Sequence, residues 1–423
     1  MRTPLVAVDG TLHLDGVSLE ALADSAGTPA FVYSATTVEA RYRELDRALA
    51  AVPHRIHYAC KANASLGILG TLRALGAGVD VVSGGELYRA AAAGFGPGDI
   101  IFGGVGKSNQ ELQEGIDAGV RLITVESEAE LQQVSALASR VNREVRVAVR
   151  VNPEVAVDSV HAYIKTGQKG DKFGIPWDEA ERVARLTMTL PCVRLVAVGM
   201  HIGSQLTNLA PLADGLRRLE DLVGRLRGAG ITTLEHVDFG GGLYVPYDDE
   251  PAADLAQYAA IVVPAVQRLG LELIVEPGRF LVAESGVLLT RVLYRKRSGG
   301  RDLLIADAGM SDLLRPSHYD AYHRILAARP RAAQATVDVV GPICESGDFL
   351  ALGRTMEDVA SGELLVICTA GAYGSCMSSN YNSRPRAGEF LVRDGQWAVI
   401  TERERYADLV RRETVTPEWR TLA

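Results

Sequence analysis

Short apolar runs recur along the first two thirds of the chain, separated by stretches whose apolar residues fall at helical spacing. The runs are Ile56–Cys60, Val79–Ser83, Asp99–Phe102, Leu122–Val125, Val145–Val151, Leu195–His201, His236–Phe239 and Leu271–Glu276. Ser65–Leu75, Glu86–Ala93 and Leu212–Leu226 are the clearest helical stretches between them. Nearly all-apolar runs suit parallel strands with a filled interior on one side and helices on the other. Eight strand–helix units in succession predict a (β/α)8 barrel over residues 28–280, with a doubly wound open sheet as the competing topology. After Arg279 the pattern changes. Val287–Arg295, Leu303–Asp307, Thr336–Val340, Leu364–Cys368, Glu389–Val392 and Trp397–Thr401 read as strands, and Arg393-Asp394-Gly395 as a turn. Ser311–Ala328 and Asp408–Arg412 read as helices, and Arg329–Ala335 as a surface loop. The expectation is a second, mostly antiparallel β-domain over residues 281–423, with residues 1–27 packed against it.

The 423 residues, 47% of them hydrophobic, are enough for two such cores. The formal net charge of -8 gives no general attraction to phosphate backbones, so nucleic acid is not an expected partner. No apolar run reaches membrane-spanning length, and the first ten residues do not read as a signal peptide. Cys60, Cys192, Cys344, Cys368 and Cys376 are odd in number and scattered. They fit a reducing cytoplasm better than a disulfide framework or a zinc site.

Barrel enzymes react at the C-terminal ends of their strands. Lys61-Ala62-Asn63 follows the first run, and Asp80 and Ser83-Gly84-Gly85-Glu86 close the second. Gly103, Gly104 and Lys107 follow the third, Glu126 the fourth, and Arg150-Val151-Asn152 the fifth. His201-Ile202-Gly203-Ser204, Gly240-Gly241-Gly242 and Glu276-Pro277-Gly278-Arg279 follow the last three. A lysine at a strand end is usually a solvated charge. Inside a barrel mouth it would be desolvated, lose its proton more readily and form a Schiff base with an aldehyde. Glycines after the seventh and eighth strands match the phosphate site of many barrels, with a hydroxyl available from Ser204. Glu276 is either an ordinary salt-bridge partner of Arg279 or the acid that keeps a pyridine nitrogen protonated. His201 is either a core histidine or a flat surface for a planar ring. Together these parts suit pyridoxal phosphate. A sugar-phosphate aldolase would share the lysine and the phosphate site without needing Glu276 or His201.

The motifs Tyr58-Ala59-Cys60-Lys61-Ala62-Asn63, Ser83-Gly84-Gly85-Glu86-Leu87, Lys172-Phe173-Gly174-Ile175, His201-Ile202-Gly203-Ser204-Gln205, Gly240-Gly241-Gly242 and Glu276-Pro277-Gly278-Arg279 resemble the diaminopimelate decarboxylases, of the fold-type III group. In the second domain the resemblance continues with Asp307-Ala308-Gly309-Met310, Arg315-Pro316, Tyr319-Asp320-Ala321-Tyr322-His323, Cys344-Glu345-Ser346-Gly347-Asp348 and Gly371-Ala372-Tyr373-Gly374. It implies decarboxylation of meso-2,6-diaminopimelate to L-lysine, the last step of lysine biosynthesis, by a cytoplasmic homodimer whose active sites lie at the subunit interface. Lys61 would carry the cofactor. Asp80, His201, Ser204, Gly240, Gly241, Gly242, Glu276, Pro277, Gly278, Arg279 and Tyr373 would surround it. Arg279, Arg315, Tyr319, Glu345 and Tyr373 would receive the substrate, and Cys344 of the second subunit would donate the proton that replaces CO2. No metal is implied. Gly199 and Met200 depart from the family pattern, where a second histidine often precedes His201, and so do Ser317 and His318. An ornithine, lysine or carboxylated-amino-acid decarboxylase of the same fold is one alternative, although Arg315 favours a remote carboxylate. A non-catalytic pyridoxal-phosphate carrier is another.

Overall fold

A computed structural model describes residues 4–155, 170 and 172–421, which divide into two compact units. The first is built from Pro4, the described residues of Ser34–Gly286, and Gly371–Cys376. The second is built from Leu5–Tyr33, Val287–Ala370 and the described residues from Met377 on.

The first unit is a closed barrel of eight parallel strands. These are β1 (His54–Ala59), β2 (Gly78–Val81), β3 (Ile100–Phe102), β4 (Leu122–Val125), β5 (Val145–Asn152), β6 (Val193–Met200), β7 (His236–Asp238) and β8 (Glu272–Val275). Each pairs with its neighbour in chain order, and β8 returns to β1. Closure excludes the doubly wound sheet. Ile101, Leu122, Ala148, Val196, Ala197 and Ile274 form a buried cluster within the unit. Several βα turns end in a side chain that caps the next helix: Ser65, Ser83, Ser108, Ser127 and Asp254 each accept a backbone N–H from the first turn. These caps start the helices Leu66–Ala74, Gly84–Ala92, Asn109–Ala118, Glu128–Arg140 and Leu255–Leu269. After β8 only the short helix Arg279–Val282 follows. The helix Ala35–Leu49, which precedes β1, packs against Leu66–Ala74 and Leu255–Leu269 and covers the eighth position.

The second unit is mostly antiparallel and includes a parallel pair between Arg301–Ala306 and Gln334–Val340. Leu12, Leu14, Leu19, Val32, Val287 and Phe390 belong to its core. Asp307 pins its strands together: it accepts the hydroxyls of Thr28 and Thr290 and the N–H of Arg291. The expected helix Ser311–Ala328 is only Arg315–Tyr319. Asp320 takes φ of +49°, which ends the helix, and Ile325–Ala327 is a strand. Phe349–Glu357, Thr11–Leu14 and Ala30–Ser34 are strands that the apolar pattern did not single out. Phe349–Glu357 is exposed at several positions, which weakens any apolar signal.

Candidate active site in the barrel mouth

Lys61 sits in a single 3-10 turn, Cys60–Ala62, directly after β1. Neighbouring groups fix that turn. The Tyr58 hydroxyl donates to the Asn63 carbonyl at 2.9 Å. Asn63 accepts from the Ser65 N–H at 3.1 Å and donates to the Gly371 carbonyl at 3.2 Å. The segment 371–376, distant in sequence, joins the barrel unit here. The Tyr373 N–H donates to the Ala62 carbonyl at 2.8 Å, and the Cys376 thiol donates to the Lys61 and Ala62 carbonyls at 3.3 and 3.4 Å. The Lys61 side chain reaches into a cavity of about 360 Å³, with its Nζ 3.7 Å from the Asp80 carboxylate. The expectation that burial frees this amine of its proton is corrected. Desolvation in the cavity does pull its pKa down, but the neighbouring acids, Asp80 foremost, outweigh that and hold it above the ordinary lysine value.

The glycine turns are tightly built. Gly240 and Gly242 take φ of +64° and +112°, which side-chain-bearing residues rarely adopt. A Cβ on Gly240 would lie 2.6 Å from His201 Nδ1, and one on Gly241 would lie 2.6 Å from the Glu276 carbonyl oxygen. The Gly240 and Gly241 N–H groups are already used within the protein, on Asp238 at 2.8 Å and on His201 Nδ1 at 3.1 Å. What these two glycines contribute is therefore closeness rather than free N–H donors. A small cleft beside them is lined by Ser204, Gly242, Pro277, Gly278, Arg279 and Tyr373. Arg279 is 8% exposed and donates to the Tyr247 hydroxyl at 2.7 Å and to Ser204 Oγ at 3.4 Å. Its guanidinium carbon lies 4.8 Å from the centre of the Tyr373 ring. A buried guanidinium, a serine hydroxyl and bare glycines together make an anion cradle.

His201 accepts the Gly241 N–H on Nδ1, which leaves the ring proton on Nε2. Burial, aided by Arg150 and Lys61, holds its pKa well below the histidine norm, so the ring is neutral and flat. Acids gather around the lysine. Burial raises Asp80 to about 7, helped by Glu276. Burial also lifts Glu276 well above the carboxylate range, with Asp238 adding to the effect, and the two carboxyls are hydrogen-bonded. That partner was missed in the sequence, because Asp238 reads as part of an apolar strand. The signal available was an acid two residues before three glycines. Arg150, Glu126 and Phe173 also line the cavity. Glu126 binds Arg150 at 2.9 Å and accepts the Gly174 N–H at 2.9 Å, while Arg150 stands over the Phe173 ring. Lys107 is structural: its buried Nζ ties Glu130 to the Gly104 and Thr124 carbonyls. Ser83-Gly84-Gly85-Glu86 is a helix cap, in which Glu86 turns back to accept the Val82 N–H at 2.8 Å.

Arg315, Tyr319, Cys344 and Glu345 belong to the second unit. Arg315 is 7% exposed and donates to His323 Nε2 at 2.8 Å. His323 Nδ1 donates to the Cys368 carbonyl at 2.9 Å, which fixes that tautomer. Cys344 and Glu345 are exposed on a turn. Its shape is held by Asp348, which accepts the Ile343 and Met310 N–H groups at 2.6 Å each, and by Asn382, which accepts the Cys344 N–H at 2.7 Å.

The barrel mouth meets the requirements of pyridoxal phosphate. An amine for the aldehyde, a neutral flat ring, an acid for the ring nitrogen and an anion cradle all line adjoining cavities. The fit is complete within one unit. Residues 35–283 match the family model described as the pyridoxal binding domain of pyridoxal-dependent decarboxylases. The chain is 45% identical over 411 residues to a diaminopimelate decarboxylase of Pseudomonas aeruginosa, covering 97% of this chain and 98% of that one. Among solved structures, it is 38% identical to a diaminopimelate decarboxylase of Helicobacter pylori complexed with L-lysine, with a TM-score of 0.89 over 93% of this chain and 98% of that one. It is 35% identical to one from M. jannaschii in co-complex with L-lysine, with a TM-score of 0.92 over 98% of both chains.

Proposed function

From the premise that this chain belongs to the diaminopimelate decarboxylases, within the pyridoxal-dependent decarboxylases, we propose that it converts meso-2,6-diaminopimelate to L-lysine and CO2 with pyridoxal 5'-phosphate as cofactor. The observation that carries the reading is the meeting of Lys61, Glu276, His201 and the Gly240–Gly242 turn at one barrel mouth. When bound, the cofactor supplies an electron sink for the charge left by departing CO2. Lys61 would hold its aldehyde carbon. Glu276 would face the ring nitrogen, neutral His201 the ring face, and Ser204, Gly240, Gly241, Gly242, Gly278 and Arg279 the phosphate. Pro277 fixes the turn between Glu276 and Gly278, since its carbonyl accepts the Ala59 N–H at 3.2 Å. Asp80, beside the Lys61 ammonium, can take and return that amine's proton.

Substrate selection would come from Arg315, with Tyr319, Arg279 and Tyr373, on the remote carboxylate, and from Glu345 on the remote ammonium. The bond from Arg315 to neutral His323 presets the arginine fork without neutralising its charge. Cys344 would protonate the carbon that loses CO2, from the second subunit of a cytoplasmic homodimer. Purified protein with added cofactor should release one CO2 and one L-lysine per meso-diaminopimelate. Turnover of ornithine or lysine but not of meso-diaminopimelate would overturn the substrate. Turnover of no amino acid would leave a carrier.

A further inference from the structure

The barrel mouth holds a buried acid, Asp238, that the proposed roles do not use. Asp238 ends β7 and is 5% exposed. Its register partner in β8 is Ile274, and Glu276 lies two residues beyond Ile274, on the same inward face. Both acids line the same cavity and are hydrogen-bonded to each other. Asp238 is confined from other directions too. It accepts the Gly240 N–H at 2.8 Å, and opposite it in β6 stands Gly199, where a Cβ would lie 2.8 Å from its own Cβ.

Two buried carboxyls in hydrogen-bond contact do not both ionise; they share a proton. An N–H donor favours the ionised form of the group that accepts it, and that group is Asp238. Burial and Asp80 raise Asp238 only to about 6, whereas Glu276 is raised much further. Lys61 and Arg150 draw Glu276 back down, and Arg150 does the same for Asp238. The other titratable groups facing the pair are His201, held neutral, and the buried Tyr258 hydroxyl, which Asp238 helps keep protonated.

We propose that Asp238 is a positioning residue whose carboxylate keeps a proton on Glu276, so that the site meets the cofactor's pyridine nitrogen with that proton already in place. One Glu276 O–H bond breaks, one N–H bond forms, and no electrons change hands. The proposal rests on the cofactor reading above and assigns a role within it.

Asp238→Asn tests it. Asparagine keeps the shape and the acceptor for the Gly240 N–H but removes the charge, so Glu276 ionises at lower pH. Calorimetric titration of the cofactor-free protein with pyridoxal 5'-phosphate, in two buffers of different ionisation enthalpy near pH 8, counts the protons taken up. The variant should take up about one proton more than wild type, and its affinity should fall about tenfold more per pH unit as pH rises. Equal counts and equal slopes in the two proteins would overturn the proposal. The difference should vanish in a Glu276→Gln background; its persistence there would also overturn it. Infrared difference spectra need only folded wild type and Glu276→Gln. Cofactor binding should remove a protonated-carboxyl band in wild type, and absence of that band would count against the proposal. Failure of wild type to bind the cofactor at all would instead sink the cofactor reading.

Discussion

What distinguishes Lys61 from other strand-end lysines is its surroundings rather than its place in the chain. Its turn is held by Asn63, Tyr373 and Cys376, and its ammonium faces Asp80. Lys61→Ala should abolish the visible absorbance of protein incubated with pyridoxal 5'-phosphate and lower turnover by several orders of magnitude. An unchanged spectrum would remove it as the anchor. At this scale the sequence was informative where a reactive side chain closes an apolar run, as with Lys61, His201 and Glu276. It was less so where the partner is buried inside a strand, as with Asp238, or comes from an unremarkable loop, as with Tyr247 beneath Arg279. The protonation state of Lys61 was misread for a related reason. Desolvation at the strand end was foreseeable, but the acids that oppose it, Asp80 foremost, come from other segments.

Among the elements, the barrel strands were legible because parallel strands are apolar on both faces, and the β-domain strands less so because exposed faces dilute the pattern. The overcalled helix at Ser311–Ala328 has apolar spacing, but Pro316 and the left-handed Asp320 limit it to one turn. The closeness of β1 and β2 carries its own consequence. His57 is 1% exposed and pairs in register with Gly78, where a Cβ would run into the imidazole and lie 2.8 Å from the Asp99 carbonyl oxygen. Gly78→Ala should lower stability by about 1–3 kcal/mol, and His57→Ala in that background should cost less than it does alone. Additive urea midpoints would contradict that coupling. Burial also lowers His57 from 6.5 to about 3, so it stays neutral in the fold. Below about pH 6.5 the unfolded chain accepts a proton that the folded chain refuses, and this share of stability is lost as pH falls toward 3. His57→Asn should flatten that acid limb; an unchanged slope would exclude His57 as its source.

For the whole molecule, the proposed chemistry divides between the two units. The barrel unit holds Lys61 and the cofactor-binding set, whereas Arg315, Cys344 and Glu345 belong to the other. The motifs of both units were legible in order along the chain. The passage of 371–376 into the barrel unit was not, because nothing local in Gly371-Ala372-Tyr373 reports its bond to the Ala62 carbonyl. If the site is shared between subunits, mixing Lys61→Ala with Cys344→Ala protein should restore up to about a quarter of wild-type activity, since random pairing makes half the dimers mixed, each with one intact site. No rescue, with mixed dimers shown to form, would argue for sites complete within one chain. The central claim is more local: this barrel mouth binds pyridoxal phosphate through one lysine. Borohydride reduction of the cofactor-loaded protein, followed by peptide mass mapping, tests it directly. The account predicts one pyridoxyl-phosphate adduct per chain, on Lys61. An adduct on another lysine, or none, would contradict it.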